Sequence, residues 1–324
     1  MTNFPLNQWT KEVPWIDRPD ADVDSFLREN KVEANFDIRE KLLFWQQNGF
    51  VIFENAVDSA LLDDFEAEID FIRSNSHDRN ISIELQGKQT YTRAVPAEKL
   101  NDPGVKFNHL HTVSRKAAEV SLALPVSQFL GIVFESPATV TQSLTFWRGS
   151  QQPLHIDYPF VNRQKRLAYV AASWIPLEDI SPDSGPLEYY PGAHKIAISG
   201  FFDWGNGDIV KGAEAMQNSM EFAKFLEDRV VSAGIRPVVF CPKRGDILVW
   251  HGNLPHSGTR IKDPTLTRKS YVTHYTSLAD YPDTWKIPEE QWARRAVALN
   301  KGYAFQFPWT NMADTLPSWS ANQN

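Results

Sequence analysis

The stretch PLHIDYPF, residues 153–160, sets a histidine and an aspartate two positions apart in an otherwise apolar run. Side chains alternate faces along a strand, so the spacing sends His155 and Asp157 one way and Ile156 the other. Two groups that resist burial, on one face of an apolar strand, admit two readings. They are a hydrogen-bonded pair, or they are two corners of a metal site. A two-histidine, one-carboxylate site needs a second histidine brought in by the fold from elsewhere in the chain.

Outward from this stretch, the downstream half is rich in short strand patterns. TVTQSLTFWRG, LAYVAASWIPL, GPLEYYPGAHK, RPVVFCPKRGDILVWHG and RKSYVTHYTSL are β-rich runs separated by Gly, Pro, Asp and Ser. The upstream part reads differently. Residues 1–36 form an irregular Pro-, Asp- and Asn-rich arm. DIREKLLFWQQNGF then predicts a helix by its spacing, with Ile38, Leu42, Leu43 and Trp45 apolar and a stop at Gly49, and FVIFE predicts a strand. SALLDDFEAEIDFIRSN predicts a helix capped by Ser59 with Leu61, Phe65, Ile69 and Ile72 inward, and a third helical region falls within 107–134. Helices followed by many short strands predict an α+β chain with a mainly β core, an antiparallel barrel or sandwich. One helix interrupts the strands: residues 213–231, with Met216, Met220, Ala223, Leu226 and Val230 on one face, after the glycine-rich GNGDIVKG. The division expected is a single domain, 1–324, with helical support over 37–137, a core over 138–280 carrying an insertion at 196–236, and an extension over 281–324.

The chain has 324 residues and a net charge of −7, which argues against nucleic acid or an anionic membrane as partner. No run approaches the roughly 18 apolar residues of a transmembrane helix, and the first residues lack the pattern of a signal peptide. The single cysteine, Cys241, excludes an internal disulfide and any cysteine-rich metal site, and fits a reducing, cytoplasmic location.

The third ligand has candidates in RGDILVWHGNLPHSGTRIKDPTLTRKSY, residues 244–271, with His251 and His256. Arg268 follows His256 by twelve positions, and a guanidinium can grip a distal carboxylate with two parallel hydrogen bonds. The ordered set HID at 155–157, SGPLEYYPGAHK at 184–195, RGDILVWHGNLPHSG at 244–258 and RKSY at 268–271, with the lead-in FWQQNGFVIFENAV, resembles the phytanoyl-CoA dioxygenase family of Fe(II)/2-oxoglutarate oxygenases over roughly residues 38–277.

The resemblance implies a double-stranded β-helix, the cupin-like jelly roll, with N-terminal helices and a helical insertion. It implies Fe(II) held by His155, Asp157 and His256, with 2-oxoglutarate and O2 as cosubstrates and ascorbate as reductant. Arg268 would bind the far carboxylate of 2-oxoglutarate, with Ser257 as helper and Trp174 lining the pocket. Many relatives carry one more residue between histidine and serine than HSG at 256–258, so Thr259 is an alternative to Ser257. A carboxylate at Asp157 favours hydroxylation over chlorination, since related halogenases carry a small residue there. The substrate expected is a small organic metabolite. Arg148 and the NRQKR cluster at 162–166 suggest an anionic one, and Trp147, Tyr158 and Phe160 could supply an aromatic wall. His194 reads as a turn residue; His274 shares strand parity with Arg268 and could lie near the site, but reads first as a satisfied core histidine. His109 and His111 read as side chains of a helix that do not face each other. Residues 196–236 are expected to form either a lid or a docked helix.

Overall fold

The computed structural model describes residues 13–76, 81–85, 87–161, 164–166, 168–195, 219–282 and 296–306. Helices α1 (Val23–Glu29), α2 (Ile38–Asn48) and α3 (Ser59–Ser74) alternate with β1 (Phe50–Phe53) before the chain enters β2 (Ser82–Leu85), β3 (Lys88–Tyr91) and β4 (Lys106–Asn108). Helices α4 (Arg115–Ser121) and α5 (Leu124–Val133) precede the long β5 (Ala138–Phe146), β6 (Ala171–Pro176) and β7 (Leu187–Tyr189). Helix α6 (Ser219–Ser232) leads to β8 (Val238–Phe240), β9 (Ile247–His251), β10 (His256–Gly258), β11 (Ser270–Ser277), β12 (Ala296–Leu299) and β13 (Gly302–Phe305).

Capping explains where the early helices start. Asp37 accepts from Glu40 N at the head of α2, and Asp58, not Ser59, caps α3 by accepting from Ala60 N and Leu61 N. Helix α3 buries Leu62 with Phe65, Ile69 and Ile72, so its apolar stripe begins one residue later than the sequence suggests. Gly49 ends α2 at φ 78°, and a Cβ there would lie 2.5 Å from the His194 ring, so only glycine permits this turn into β1.

Two sheets form the jelly roll. The larger runs β1-β9-β6-β11-β5-β4-β2-β3, with β13 joining β5 and β12 joining β13; the smaller runs β10-β7-β8. All pairings are antiparallel except β13 with β5. One core lies between the large sheet and the helices, around Trp45, Phe65, Phe129, Tyr271 and Tyr275. A second lies inside the roll, around Phe146, Trp174, Tyr189, Leu248, Trp250 and Val272. Each fully buried Leu, Val or Phe contributes about 1.5–3 kcal/mol, so these two layers hold the sheets together.

The stretch 153–160 is not a strand. It makes one two-bond bridge, His155 N to His256 O at 3.0 Å and His256 N to His155 O at 2.9 Å. It then turns, with Asp157 O accepting from Phe160 N and Val161 N. Ile156 still points away, into a small cluster with Val13, Tyr158, Phe222 and Leu226. Helix α6 therefore docks on the back of this segment. Its buried face is Phe222, Ala223, Leu226 and Val230, while Met220 is exposed, contrary to the face expected from sequence. Residues 196–218, including Met216 and GNGDIVKG, lie outside the described residues.

Candidate metal centre

The bridge between residues 155 and 256 sets the two histidines side by side, with ring centroids 4.2 Å apart. Each ring is locked by its own backbone. His155 Nδ1 lies 2.8 Å from Pro153 O, and His256 Nδ1 lies 2.9 Å from Leu254 O. A carbonyl only accepts, so each Nδ1 carries the proton and each Nε2 presents a lone pair. That is the arrangement that orients metal-ligating histidines. Asp157 completes the set: one ligand atom from each of the three side chains lies within 4.8 Å of the others. It is the one group of this kind among the described residues.

The electrostatics keep this donor set ready. Burial, with the His256 ring beside it, pushes His155 down to about 3, so its ring is neutral at neutral pH. Burial alone would raise the Asp157 carboxyl, but the neighbouring His256, His274 and His155 rings outweigh it and hold it below the usual carboxylate range. Trp250 Nε1 donates to Asp157 Oδ2 at 2.7 Å, which leaves Oδ1 facing His256 Nε2 at 3.7 Å. Two imidazoles presenting Nε2 and one carboxylate, converging, suit a divalent iron. Gln152 caps the set from outside, with Nε2 3.1 Å from His155 Nε2 and Oε1 3.4 Å from Lys106 Nζ.

Arg268 is buried inside the roll, its guanidinium 5.4 Å from the Phe146 ring and 5.6 Å from that of Trp174. Burial lowers it to about 10, so it remains a cation at neutral pH. Among the described residues no carboxylate pairs with it, and its Nε is buried without a partner. Ser270, two residues on and at the start of β11, also has a buried hydroxyl without a partner.

Ser257 takes the other direction. Its register opposite Glu188 puts it on the far side of the β10–β7 pair from His256, and its hydroxyl donates to Glu188 Oε1 at 2.7 Å. Thr259 is turned to Pro186 O at 2.8 Å. Neither is turned to Arg268, whereas the buried, unpartnered hydroxyl of Ser270 lies two residues beyond it. His251 also faces away. Its Nδ1 accepts from Asn253 N at 2.9 Å and its Nε2 lies 3.1 Å from Asp17 Oδ2, so it anchors the N-terminal arm.

Other candidates separate in the same way. Phe160 stands beside His155 at 5.9 Å, but Tyr158 donates to Ala168 O behind the site, and Trp147 lies under Arg73 at 3.5 Å. Arg166 is committed to Asp280 through two bonds of 2.7 Å, and Arg148 to Pro264 O. Asn162 and Arg163 lie outside the described residues. His111 is bound to Ser143 Oγ at 2.8 Å, in a short 3-10 turn rather than an α-helix. His194 sits in the turn after β7, with Nδ1 buried and unpartnered. His274 does not behave as a satisfied core residue: its Nε2 lies 3.5 Å from Asp157 Oδ1.

The family model for phytanoyl-CoA dioxygenase (PhyH) matches residues 45–269, which contain every one of these site residues except Ser270 and His274. The chain belongs to the phytanoyl-CoA dioxygenase family. A curated relative, the peroxisomal phytanoyl-CoA dioxygenase of Bos taurus, is 23% identical over 289 residues, covering 87% of this chain and 80% of the relative. Among solved structures, the non-haem α-ketoglutarate-dependent carbocyclase SnoK from nogalamycin biosynthesis superposes with a TM-score of 0.55 at 15% identity, covering 76% of this chain and 87% of that one. EctD from S. alaskensis in its apo form gives 0.53 at 13% identity, covering 76% and 79%. These structural likenesses establish the fold, and family membership makes the protein a non-haem iron, 2-oxoglutarate-dependent dioxygenase. No single helix among the described residues is long and apolar enough to cross a membrane.

Proposed function

We propose that His155, Asp157 and His256 hold the Fe(II), that Arg268 grips the far carboxylate of 2-oxoglutarate, and that the enzyme hydroxylates an unactivated C–H of a small organic metabolite with release of succinate and CO2. The observation that carries this reading is the pairing, within one roll, of three convergent ligand atoms with a buried guanidinium that has no acid of its own. A buried charge without a partner is costly, so a cavity that keeps one is shaped for an anion that arrives with the ligand. When bound, the iron supplies the activation of O2 and the oxidation of the C–H bond.

The chain's own part is positioning and exclusion of water. The carbonyls of Pro153 and Leu254 fix the protons on Nδ1 and so aim both Nε2 lone pairs. Trp250 holds one oxygen of Asp157 and leaves the other for the metal. Ser270 adds a second donor to the carboxylate that Arg268 binds, and Trp174 and Phe146 wall the guanidinium from solvent. For an anionic substrate the support is slight: Lys106, which reaches Gln152 beside His155, is paired with Glu84 at 3.0 Å. The arginines suggested by sequence supply less support, because Arg148 and Arg166 are committed elsewhere. A cytoplasmic location rests on the lone, exposed Cys241.

Desaturation, cyclisation or epimerisation would use the same ligands, and a non-catalytic binding roll would share the fold alone. Anaerobic addition of Fe(II) and then 2-oxoglutarate should give the visible charge-transfer band of such chelates. Product analysis across a metabolite panel under O2 should show succinate together with a product heavier by one oxygen. A product two hydrogens lighter, or an isomer, would replace hydroxylation by the diverted chemistries. Absence of both band and succinate would leave only a binding protein.

A further inference from the structure

Inside the roll, β9, β6 and β11 lie side by side, and their register sets Trp250 opposite Ala172 and Ala172 opposite His274. Two long side chains therefore flank a methyl group in one row, with strands about 4.8 Å apart. The space over Ala172 is where the Asp157 carboxylate sits. Trp250 Nε1 is bonded to its Oδ2 at 2.7 Å and His274 Nε2 stands 3.5 Å from its Oδ1. The register of β11 against β5 shifts between His274 and Tyr275, and such a bulge re-aims a side chain beside a site.

The proton on His274 can be placed by contrast with the ligands. His155 and His256 have a carbonyl at Nδ1, which draws the proton there and frees Nε2. His274 has no such carbonyl: its Nδ1 is buried without a partner, and the atom facing its Nε2 is a carboxylate oxygen. An N–H belongs on the side with an acceptor, so the ring is protonated on Nε2 and has no lone pair to offer a metal there. We propose that His274 is a positioning residue of the iron centre. Its Nε2–H donates to Asp157 Oδ1 and, with Trp250 on Oδ2, fixes the plane of the carboxylate so that a single oxygen lone pair faces the metal. The inference rests on the three-ligand reading above.

Anaerobic Fe(II) titration tests it, with the visible band of the Fe(II)–2-oxoglutarate complex as second readout. His274→Phe should weaken Fe(II) binding by about 10- to 100-fold, the usual cost of losing an orienting partner of a ligand, and should shift the band. His274→Gln, which keeps an N–H donor, should restore affinity to within a few-fold. A His274→Phe protein with parental affinity and band overturns the proposal. Should that variant fail to fold, ring-15N NMR of the wild-type protein loaded with Zn(II) decides. A proton on His274 Nε2, opposite to His155 and His256, supports the proposal, and a proton on Nδ1 overturns it. Wild-type protein that takes up no metal would instead overturn the three-ligand reading itself, so the two failures are distinguishable.

Discussion

On the face of β11 that looks toward the helices, Tyr271, Thr273 and Tyr275 spend every hydroxyl within the protein. Ser121 Oγ meets Tyr271 OH at 2.9 Å and Thr273 Oγ1 at 3.0 Å, and Tyr275 OH donates to Ser121 O at 2.6 Å while meeting Ser173 Oγ at 2.9 Å. On the inward face, running back to Arg268, the position is reversed: Arg268 Nε, Ser270 Oγ and His274 Nδ1 are all buried without a partner. Leaving a buried polar atom unsatisfied costs about 1–3 kcal/mol. A strand that meets this cost on one face and avoids it on the other separates two tasks. The outward groups specify the fold, and the inward groups wait for a ligand.

The same contrast divides two histidines five residues apart, and here the largest effect is expected. His251 is satisfied on both nitrogens by Asn253 and Asp17, whereas His256 leaves Nε2 open toward Asp157. His256→Ala should abolish Fe(II) uptake and succinate formation, and His251→Ala should keep metal binding while loosening the arm. Metal analysis after anaerobic loading checks both, and the reverse pattern would dissolve the contrast.

Acid should act on both faces at once. Burial is the first cause holding His155, His111 and His194 below the ordinary histidine range, His155 at about 3. Lowered histidines stay neutral when folded, but the unfolded chain takes up protons below about pH 6.5. The metal-free protein should therefore lose stability as pH falls below about 6.5, with the His155 share continuing toward 3 and each such group adding at most about 1.4 kcal/mol per pH unit. Denaturant unfolding across pH measures the slope. His111→Gln, on the fold side, should reduce it by about 1.4 kcal/mol per unit without touching Fe(II) affinity, and an unchanged slope would remove His111 from the account.

For the inward face, loss of a bidentate, charge-assisted contact costs on the order of 2–5 kcal/mol. Arg268→Ala should raise the 2-oxoglutarate requirement by roughly 30-fold or more, with Fe(II) still bound. Unchanged 2-oxoglutarate affinity would put the anchor elsewhere.

Much of this site was legible because its parts are short ordered motifs. H-x-D, the later H-S-G and an arginine twelve residues on name the triad and the anchor. Alternation would also have sent Ser257 away from His256, had it been applied to that strand. Other features depend on neighbours that a sequence does not display. The 155–160 segment looks like a strand, yet its ladder pairing is a single bridge to His256, and after it Asp157 N and Tyr158 N both turn to Gly252 O. His274 has the parity of an inward residue, but its aim comes from a bulge set by β5. Met220 fits the stripe of α6 by spacing, but the docking surface, Ile156 and Tyr158, selects the face centred on Phe222.

A smaller effect is expected on the outward face. Tyr275→Phe removes the bond to Ser121 O and strands that carbonyl and Ser173, so unfolding free energy should fall by about 1–3 kcal/mol. The 2-oxoglutarate requirement should not change. A change in that requirement, with stability intact, would mean that the two faces of β11 are not separate.

The smallest and sharpest comparison sets two serines against each other. Ser270 and Ser257 are both buried and each flanks a candidate site residue, Arg268 and His256. Ser257 already donates to the partly buried Glu188, so Ser257→Ala gives up one ordinary hydrogen bond worth about 1 kcal/mol of stability. Ser270 has nothing to lose inside the protein, because its hydroxyl has no partner. Ser270→Ala should therefore be neutral or slightly stabilising in the absence of cosubstrate. Its cost should emerge only when a carboxylate reaches Arg268, as a 2-oxoglutarate requirement raised about 5- to 10-fold for a contact worth about 1–1.4 kcal/mol. Thermal unfolding with and without Fe(II) and 2-oxoglutarate, run on both variants, reads the two effects side by side. If Ser257→Ala raised the 2-oxoglutarate requirement and Ser270→Ala did not, the helper would be the serine after the distal histidine, and the inward face of β11 would lose its second donor.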